Sequence, residues 1–244
     1  MPLESERHWL FEAIEPSFDF GGSRKASITR LSVEEAGSRM YAYGQELIAA
    51  KRAQPSDDML SVVVNSADPE LSDIESYLFF NLLFSAGAET TRNAMTHGMN
   101  AFFDNPDQWE LFKRERPDSA IDEIIRWATP VHCFQRTALE DVELGGVTIR
   151  EGQRAGLFYS SANFDEDVFD RPFEFDIMRN PNPHLAFGGN GAHYCIGANL
   201  ARMEIKLIFD ELADQVPDIA KLAEPKRLRS GWINGVKELA VSYR

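Results

Sequence analysis

One short run constrains this chain more than any other. Phe187-Gly188-Gly189-Asn190-Gly191-Ala192-His193-Tyr194-Cys195-Ile196-Gly197 leads into a helical stretch with apolar residues at Ile196, Leu200, Met203 and Leu207. Glycines let a backbone approach a flat ligand closely, with its amides aimed at the cysteine sulfur. A helix starting just after the sulfur offers its positive end to an anion, which favours the thiolate. The thiolate is the form that binds iron, so the local chemistry is that of a haem-thiolate ligand loop. For one cysteine taken alone, the plainer reading of a small buried hydrophobe beside a glycine-rich turn prevails.

Composition sets the frame around that loop. The 244 residues suffice for one substantial core or two small ones. With 43% hydrophobic and 26% charged residues, the chain reads as an ordinary soluble globular protein. No apolar run reaches the roughly 18 residues that a membrane span needs. The first residues lack the basic-then-apolar character of a secretory signal. Only Cys133 and Cys195 occur, so a disulfide framework is not expected and a reducing cytoplasm is the default location. A net charge of −14 argues against general binding to nucleic acid or anionic membranes. Arg202 and Lys206 could still form a local basic patch after Cys195, although such charges more often mark a solvated helix face.

Periodicity and breakers give a mainly helical chain with small β-sheets. Residues 4–14 read as the end of a helix, followed by a loop over 16–30. A helix is expected over 31–53, opened by Ser32 with Glu34 and Glu35 in its first turn, and a short one over 57–65. Ser72, with Glu75 closing a capping box, starts a long helix over 72–104. Its first half, from Tyr77 to Phe84, is apolar almost all round, the pattern of a helix buried at the centre of a domain. Helices follow over 107–116 and 117–128. Short strands are expected at 142–144, 147–149 and 155–159, with Gly145-Gly146 and Glu151-Gly152 as turns. Residues 163–186 read as irregular, the helix after Cys195 ends near Gln215, and 227–243 read as a terminal hairpin around Gly231–Gly235.

Further constellations carry chemistry. The long helix holds Ala86-Gly87-Ala88-Glu89-Thr90-Thr91 at its middle. Small residues open a gap there, and threonines can bond back to carbonyls and bend the helix. An acid beside an alcohol in an apolar helix is costly unless satisfied or functional. Alone, the run also fits a kink with a solvated glutamate. Glu123 and Arg126 stand three residues apart, on one helix face. Alone they are a weak signal, since exposed pairs of this kind contribute under about 1 kcal/mol. Arg136 and His193 are cations suited to carboxylates, Arg136 through its bidentate fork. By composition, Phe84, Ala86, Val131, Phe134, Trp232 and Ile233 are plain core.

Taken in order, these motifs closely resemble those of cytochromes P450, over most of residues 65–244, and the cysteine-loop pattern continues through Ala198-Asn199-Leu200-Ala201-Arg202. The resemblance implies the P450 fold. It implies haem b, with Cys195 as the metal ligand and Phe187, Gly188, Gly197, Ala86 and Gly87 against the cofactor. Arg136 and His193 would then hold the propionates. Glu89 and Thr90 would be the catalytic pair that handles protons during oxygen activation. Glu123 and Arg126 would be structural, tying their helix to the meander before the cysteine loop. Val131, Phe134 and Trp232 would line the substrate pocket. The activity implied is a monooxygenase acting on an apolar substrate, with NAD(P)H electrons delivered by a ferredoxin and a ferredoxin reductase.

Within the family, Phe134-Gln135-Arg136-Thr137-Ala138, Ser161–Asp165, Arg179–His184 and Leu228–Gly235 resemble actinobacterial enzymes that oxidise steroid side chains. Three departures stand out. Phe187 lies eight residues before Cys195, one more than usual, a feature shared with the steroid and branched-lipid subgroup. Glu174 replaces the usual meander arginine in Pro172-Phe173-Glu174-Phe175, so Arg179 partners Glu123 instead or that contact is missing. The chain also begins midway through the family pattern, which leaves the phenylalanine-rich helix short of neighbours. A second expectation is therefore an inactive, truncated fragment with weak or no haem binding. Peroxide-driven chemistry is a third, opposed by the intact Glu89-Thr90 pair.

Overall fold

The computed structural model describes residues 32–66 and 68–243, together with Glu6, Trp9, Leu10, Ala13, Ile14 and Phe18. The expected loop over 16–30, Phe18 apart, and most of the helix end over 4–14 lie outside the described residues. The chain forms two compact units, Met1–Glu89 and Thr90–Arg244.

In the first unit, α1 (Val33–Ala53) opens as expected. Ser32 accepts the amide of Glu35, and Glu35 reaches back to the amide of Ser32. This reciprocal box satisfies two helix-end donors at once. α2 (Met59–Ser66) follows after Pro55, and Lys51 pairs with Asp58 across the turn. The long helix α3 (Asp73–Asp104) begins after Ser72, which exchanges hydrogen bonds with Glu75. Gly44 of α1 sits where any Cβ would come within 2.8 Å of the Phe80 ring, so the glycine permits the close approach of α1 to α3. Arg52 clips the two helices at Asp73 (2.7 Å) and Ser76 (3.1 Å).

The α3 stretch over 73–89 corrects the expectation of a helix buried all round. Phe80 is buried, but Ile74, Leu78 and Leu82 are exposed. One face packs on α1, and the face carrying Ile74, Leu78 and Leu82 is exposed.

The second unit holds the rest of α3 with α4 (Pro106–Glu115), α5 (Ser119–Ala128) and α7 (Ala198–Gln215), the short α6 (Tyr159–Ala162) lying between. Phe102 centres its core, with ring centroids 5.0 Å from Trp109, 5.3 Å from Phe175 and 5.5 Å from both Phe112 and Phe209. Gly98 makes this packing possible: a Cβ there would lie 2.6 Å from Ile124 and 3.0 Å from Phe209. α4 starts one residue earlier than expected because Pro106 takes the first helical position. α5 starts at Ser119, later than expected, with Asp118 at its cap position.

Among the described residues, four two-stranded antiparallel sheets complete the unit. β2 (Val142–Leu144) and β3 (Val147–Ile149) form the expected hairpin over Gly145 and Gly146, both at positive φ. β1 (Cys133–Thr137) pairs with β4 (Arg154–Phe158), with Arg136 opposite Ala155. β1 lies ahead of the strands expected from the sequence, because its run of mixed residues carries no alternation. Tyr159, expected as strand, instead opens α6. The single terminal hairpin is also corrected. β6 (Lys226–Arg227) pairs with β7 (Val236–Glu238), whereas β8 (Val241–Ser242) leaves to pair with β5 (Ala220–Lys221).

Candidate active site

Cys195 lies in the last turn of the loop before α7, and the side chain is exposed. Its amide donates to the carbonyl of Phe187 at 3.0 Å, closing the loop on itself. Gly188 and Gly191 take positive φ values of 87° and 128°, a backbone that side chains with a Cβ rarely adopt. Gly197 caps α7, and a Cβ there would sit 3.8 Å from the Cys195 sulfur. The sulfur therefore lies just ahead of the positive end of an 18-residue helix. His193 and Tyr194 are exposed on the same loop.

Phe187 is the loop's anchor. The Arg202 guanidinium lies 4.6 Å from its ring centroid and the His184 ring 5.7 Å away. Both side chains also reach one oxygen of Asp122 on α5, Arg202 Nε at 2.8 Å and His184 Nε2 at 3.1 Å. Burial works to raise the Asp122 carboxyl, but the hydrogen bonds from His184 and Arg202 prevail and hold it below the ordinary carboxylate range.

The Glu123 and Arg126 side chains are fully buried. Arg126 grips both oxygens of Glu123 at 2.8 Å and donates to the carbonyls of Asn163, Pro172 and Glu174. Arg179 adds its Nε to Glu123 at 3.1 Å, with the Asp176 amide and the Asn182 amide group at 3.0 Å each. Arg179, not Glu174, supplies the third contact. The Glu174 side chain instead pairs outward with Arg171. Such a carboxylate is tolerated without water because five donors reach it.

The expected pocket residues of the second unit converge. Val131 bridges Ile233, and the Phe134 ring lies 6.2 Å from Trp232 and 5.9 Å from Tyr159. Ile233 is buried core, whereas Phe134 and Trp232 are exposed. Asn234 fixes this loop, donating to the carbonyls of Ala128 (2.6 Å) and Pro130 (2.9 Å) and accepting His97 on its own carbonyl at 2.9 Å. Burial pushes the His97 imidazole down to about 4, with nearby Arg227 and His132 acting in the same direction and the Asn234 bond opposing. No residue spacing announces His97 or the Asp122 hub, since each partner is distant in sequence.

Arg136 is exposed, its guanidinium donating to the neighbouring carbonyl of Gln135 at 3.0 Å. Ala86, Gly87 and Glu89 belong to the first unit and Thr90 opens the second, all on α3. Ala86 and Gly87 are exposed, and a Cβ on Gly87 would meet nothing within 4 Å. Glu89 is buried, which rules out the solvated glutamate, and Thr90 is half-buried. Among the described residues no cluster of His, Cys, Asp and Glu could hold a metal ion by itself, and no helix is long and apolar enough to cross a membrane.

Comparison with known proteins places these features in a family. The family model described as Cytochrome P450 matches residues 117–212. A steroid C26-monooxygenase of Rhodococcus jostii is 56% identical over 213 residues, covering 86% of this chain and 45% of the relative. One of Mycobacterium tuberculosis is 50% identical over 238 residues, covering 97% of this chain and 53% of the relative. Among solved structures, Mycobacterium marinum cytochrome P450 CYP268A2, in complex with pseudoionone, superposes with a TM-score of 0.91 at 36% identity, over 98% of this chain and 59% of that one. The chain thus spans about half the length of the curated relatives it matches. A cysteine loop closed on its phenylalanine, a buried Glu-x-x-Arg pair and these likenesses agree: the chain belongs to the cytochrome P450 family.

Proposed function

We propose that the chain carries the catalytic portion of a haem-thiolate monooxygenase that hydroxylates a steroid or related lipid, with electrons from NAD(P)H through a ferredoxin and its reductase. The observation that carries this reading is the exposed Cys195 at the head of α7, in a glycine loop open enough for a flat ligand. The donor set suits haem b. One soft sulfur is available to iron, and Arg136 offers a cation and His193 an N–H donor for carboxylates. When bound, the haem supplies an iron centre that activates dioxygen for insertion into a C–H bond.

The chain's own residues do the rest. Cys195 would be the residue that holds the iron, its sulfur lying just ahead of the positive end of α7. Phe187, Gly188 and Gly197 shape the loop that holds it. Ala86 and Gly87 leave room for the cofactor face on α3. Glu89, buried on α3, and Thr90 beside it are the pair that would handle protons. Glu123 and Arg126 hold the meander and touch no reacting atom. Val131, Phe134 and Trp232 offer an apolar wall that binds a sterol side chain and excludes water. The names of the relatives, steroid C26-monooxygenases, motivate terminal-methyl hydroxylation.

The test supplies the haem-loaded chain with a 3-oxo sterol, a ferredoxin system and isotopically labelled dioxygen. One labelled oxygen in a side-chain hydroxyl is the expected product. Oxidation of unbranched fatty acid alone would overturn the sterol assignment. A second reading, a fragment that binds haem weakly or not at all, is favoured by the open apolar rows Ile74, Leu78, Leu82 and Ile196, Leu200, Met203, Leu207. It predicts strong binding of a hydrophobic dye with no cooperative unfolding transition.

A further inference from the structure

Asp122, His184 and Arg202 come from three separate elements: α5, the irregular stretch before the cysteine loop, and α7. Judged singly, the Asp122–Arg202 pair is a partly exposed ion pair worth little. Its surroundings change that judgement. Both donors share Asp122 Oδ1. The His184 side chain is only 3% exposed. Its Nδ1 accepts the Ala186 amide at 3.3 Å, so Nε2 carries the hydrogen that goes to Asp122 and the ring orientation is determined. The two cation and imidazole planes then meet the ring of one residue, Phe187, whose carbonyl holds the Cys195 amide.

We infer that Asp122, His184 and Arg202 are positioning residues that clamp Phe187 and thereby fix where Cys195 presents its sulfur. The inference rests on Cys195 being the iron ligand, and it names what makes the loop rigid. Cys195 is tied by its amide to the Phe187 carbonyl and by its own carbonyl to the Ala198 amide of α7 (3.3 Å), while the Phe187 ring meets Arg202 of α7, which Asp122 ties to α5. Arg202 makes the ring contact and Asp122 keeps Arg202 over it. A cation over an aromatic face restrains the ring, and a shared charge-assisted acceptor adds to its order. A loosened clamp would let the loop breathe without unfolding α7.

The test uses the 244-residue chain and the variants R202Q, D122N and R202Q/D122N. Amide hydrogen exchange is read without haem, and the ferrous–CO spectrum after haem loading. R202Q is expected to exchange about tenfold faster at residues 187–197, with peptides over 107–128 and 198–215 unchanged. D122N, which is isosteric, should give the same local pattern to a smaller degree. The double variant should be no worse than R202Q, because both changes release one clamp. Each variant should shift haem from the thiolate-type to the thiol-type CO band. Unchanged exchange over 187–197, an equal rise everywhere, or additive effects would each overturn the clamp. Should R202Q fail to fold, D122N and R202K carry the same comparison. Exchange decides the clamp even if the parent chain takes up no haem. A normal thiolate band with unchanged exchange removes the clamp and leaves Cys195 as ligand.

Discussion

The carboxylate of Glu123 shows how much one residue can organise. It is completely buried, and its two oxygens collect donors from Arg126, Arg179, Asn182 and the Asp176 amide. Removing the charge leaves two buried guanidinium groups without their counter-ion. E123Q should therefore destabilise the chain by about 3–5 kcal/mol, read as a fall in the denaturant midpoint. R179A should cost less, since Arg126 keeps Glu123 paired. Equal losses would contradict this ordering. Half of this site was legible in sequence, because Glu123 and Arg126 are three apart on one helix face. Arg179 could be weighed only as a substitute for Glu174. What selected it is geometry: its guanidinium also satisfies the carbonyls of Asp170, Arg171 and Glu174, which no local pattern encodes.

At the scale of elements, helices were easier to read than strands. Ser32 with Glu35 and Ser72 with Glu75 mark two helix starts within one residue, because a capping box is local chemistry. β1 escaped because its five residues neither alternate nor contain a turn signal, and its pairing with β4 is made across 17 or more residues. The path of β8 away from the terminal hairpin is likewise a tertiary choice. Packing of α3 on α5 and α7 depends on Gly98, which looks unremarkable in the helix sequence. G98A would push a methyl group against Ile124 and Phe209 and should cost about 1–3 kcal/mol by overpacking, despite alanine's better helix propensity. A thermal melt at or above that of the parent would contradict that packing. G87A, where a Cβ meets nothing, should leave the melt unchanged or raise it.

For the whole molecule, acid is the condition to which the fold is most exposed. His97 is neutral when folded, with a pKa near 4, but titrates near its ordinary 6.5 when unfolded. Between those values the unfolded chain binds the extra proton, so stability falls as pH drops from about 6.5 to 4, by on the order of 2–3 kcal/mol. Asp122 acts in the same sense: its folded value is lowered, so its contribution is present above the ordinary carboxylate range and lost as pH falls through the folded value. H97Q, which can still donate to the Asn234 carbonyl, should flatten the pH dependence of the melt in that window. An unaltered slope would show that His97 is not its source. The open apolar rows on α3 and α7 separate family membership from autonomous activity, since a chain can keep its cysteine loop and still hold haem poorly. The measurement that bears most directly on the account is the ferrous–CO absorption spectrum of the haem-loaded chain beside C195S. A thiolate-type Soret band in the parent, absent from C195S, is the predicted result. A parent spectrum of free or histidine-ligated haem, or the same spectrum from both proteins, would contradict Cys195 as the ligand.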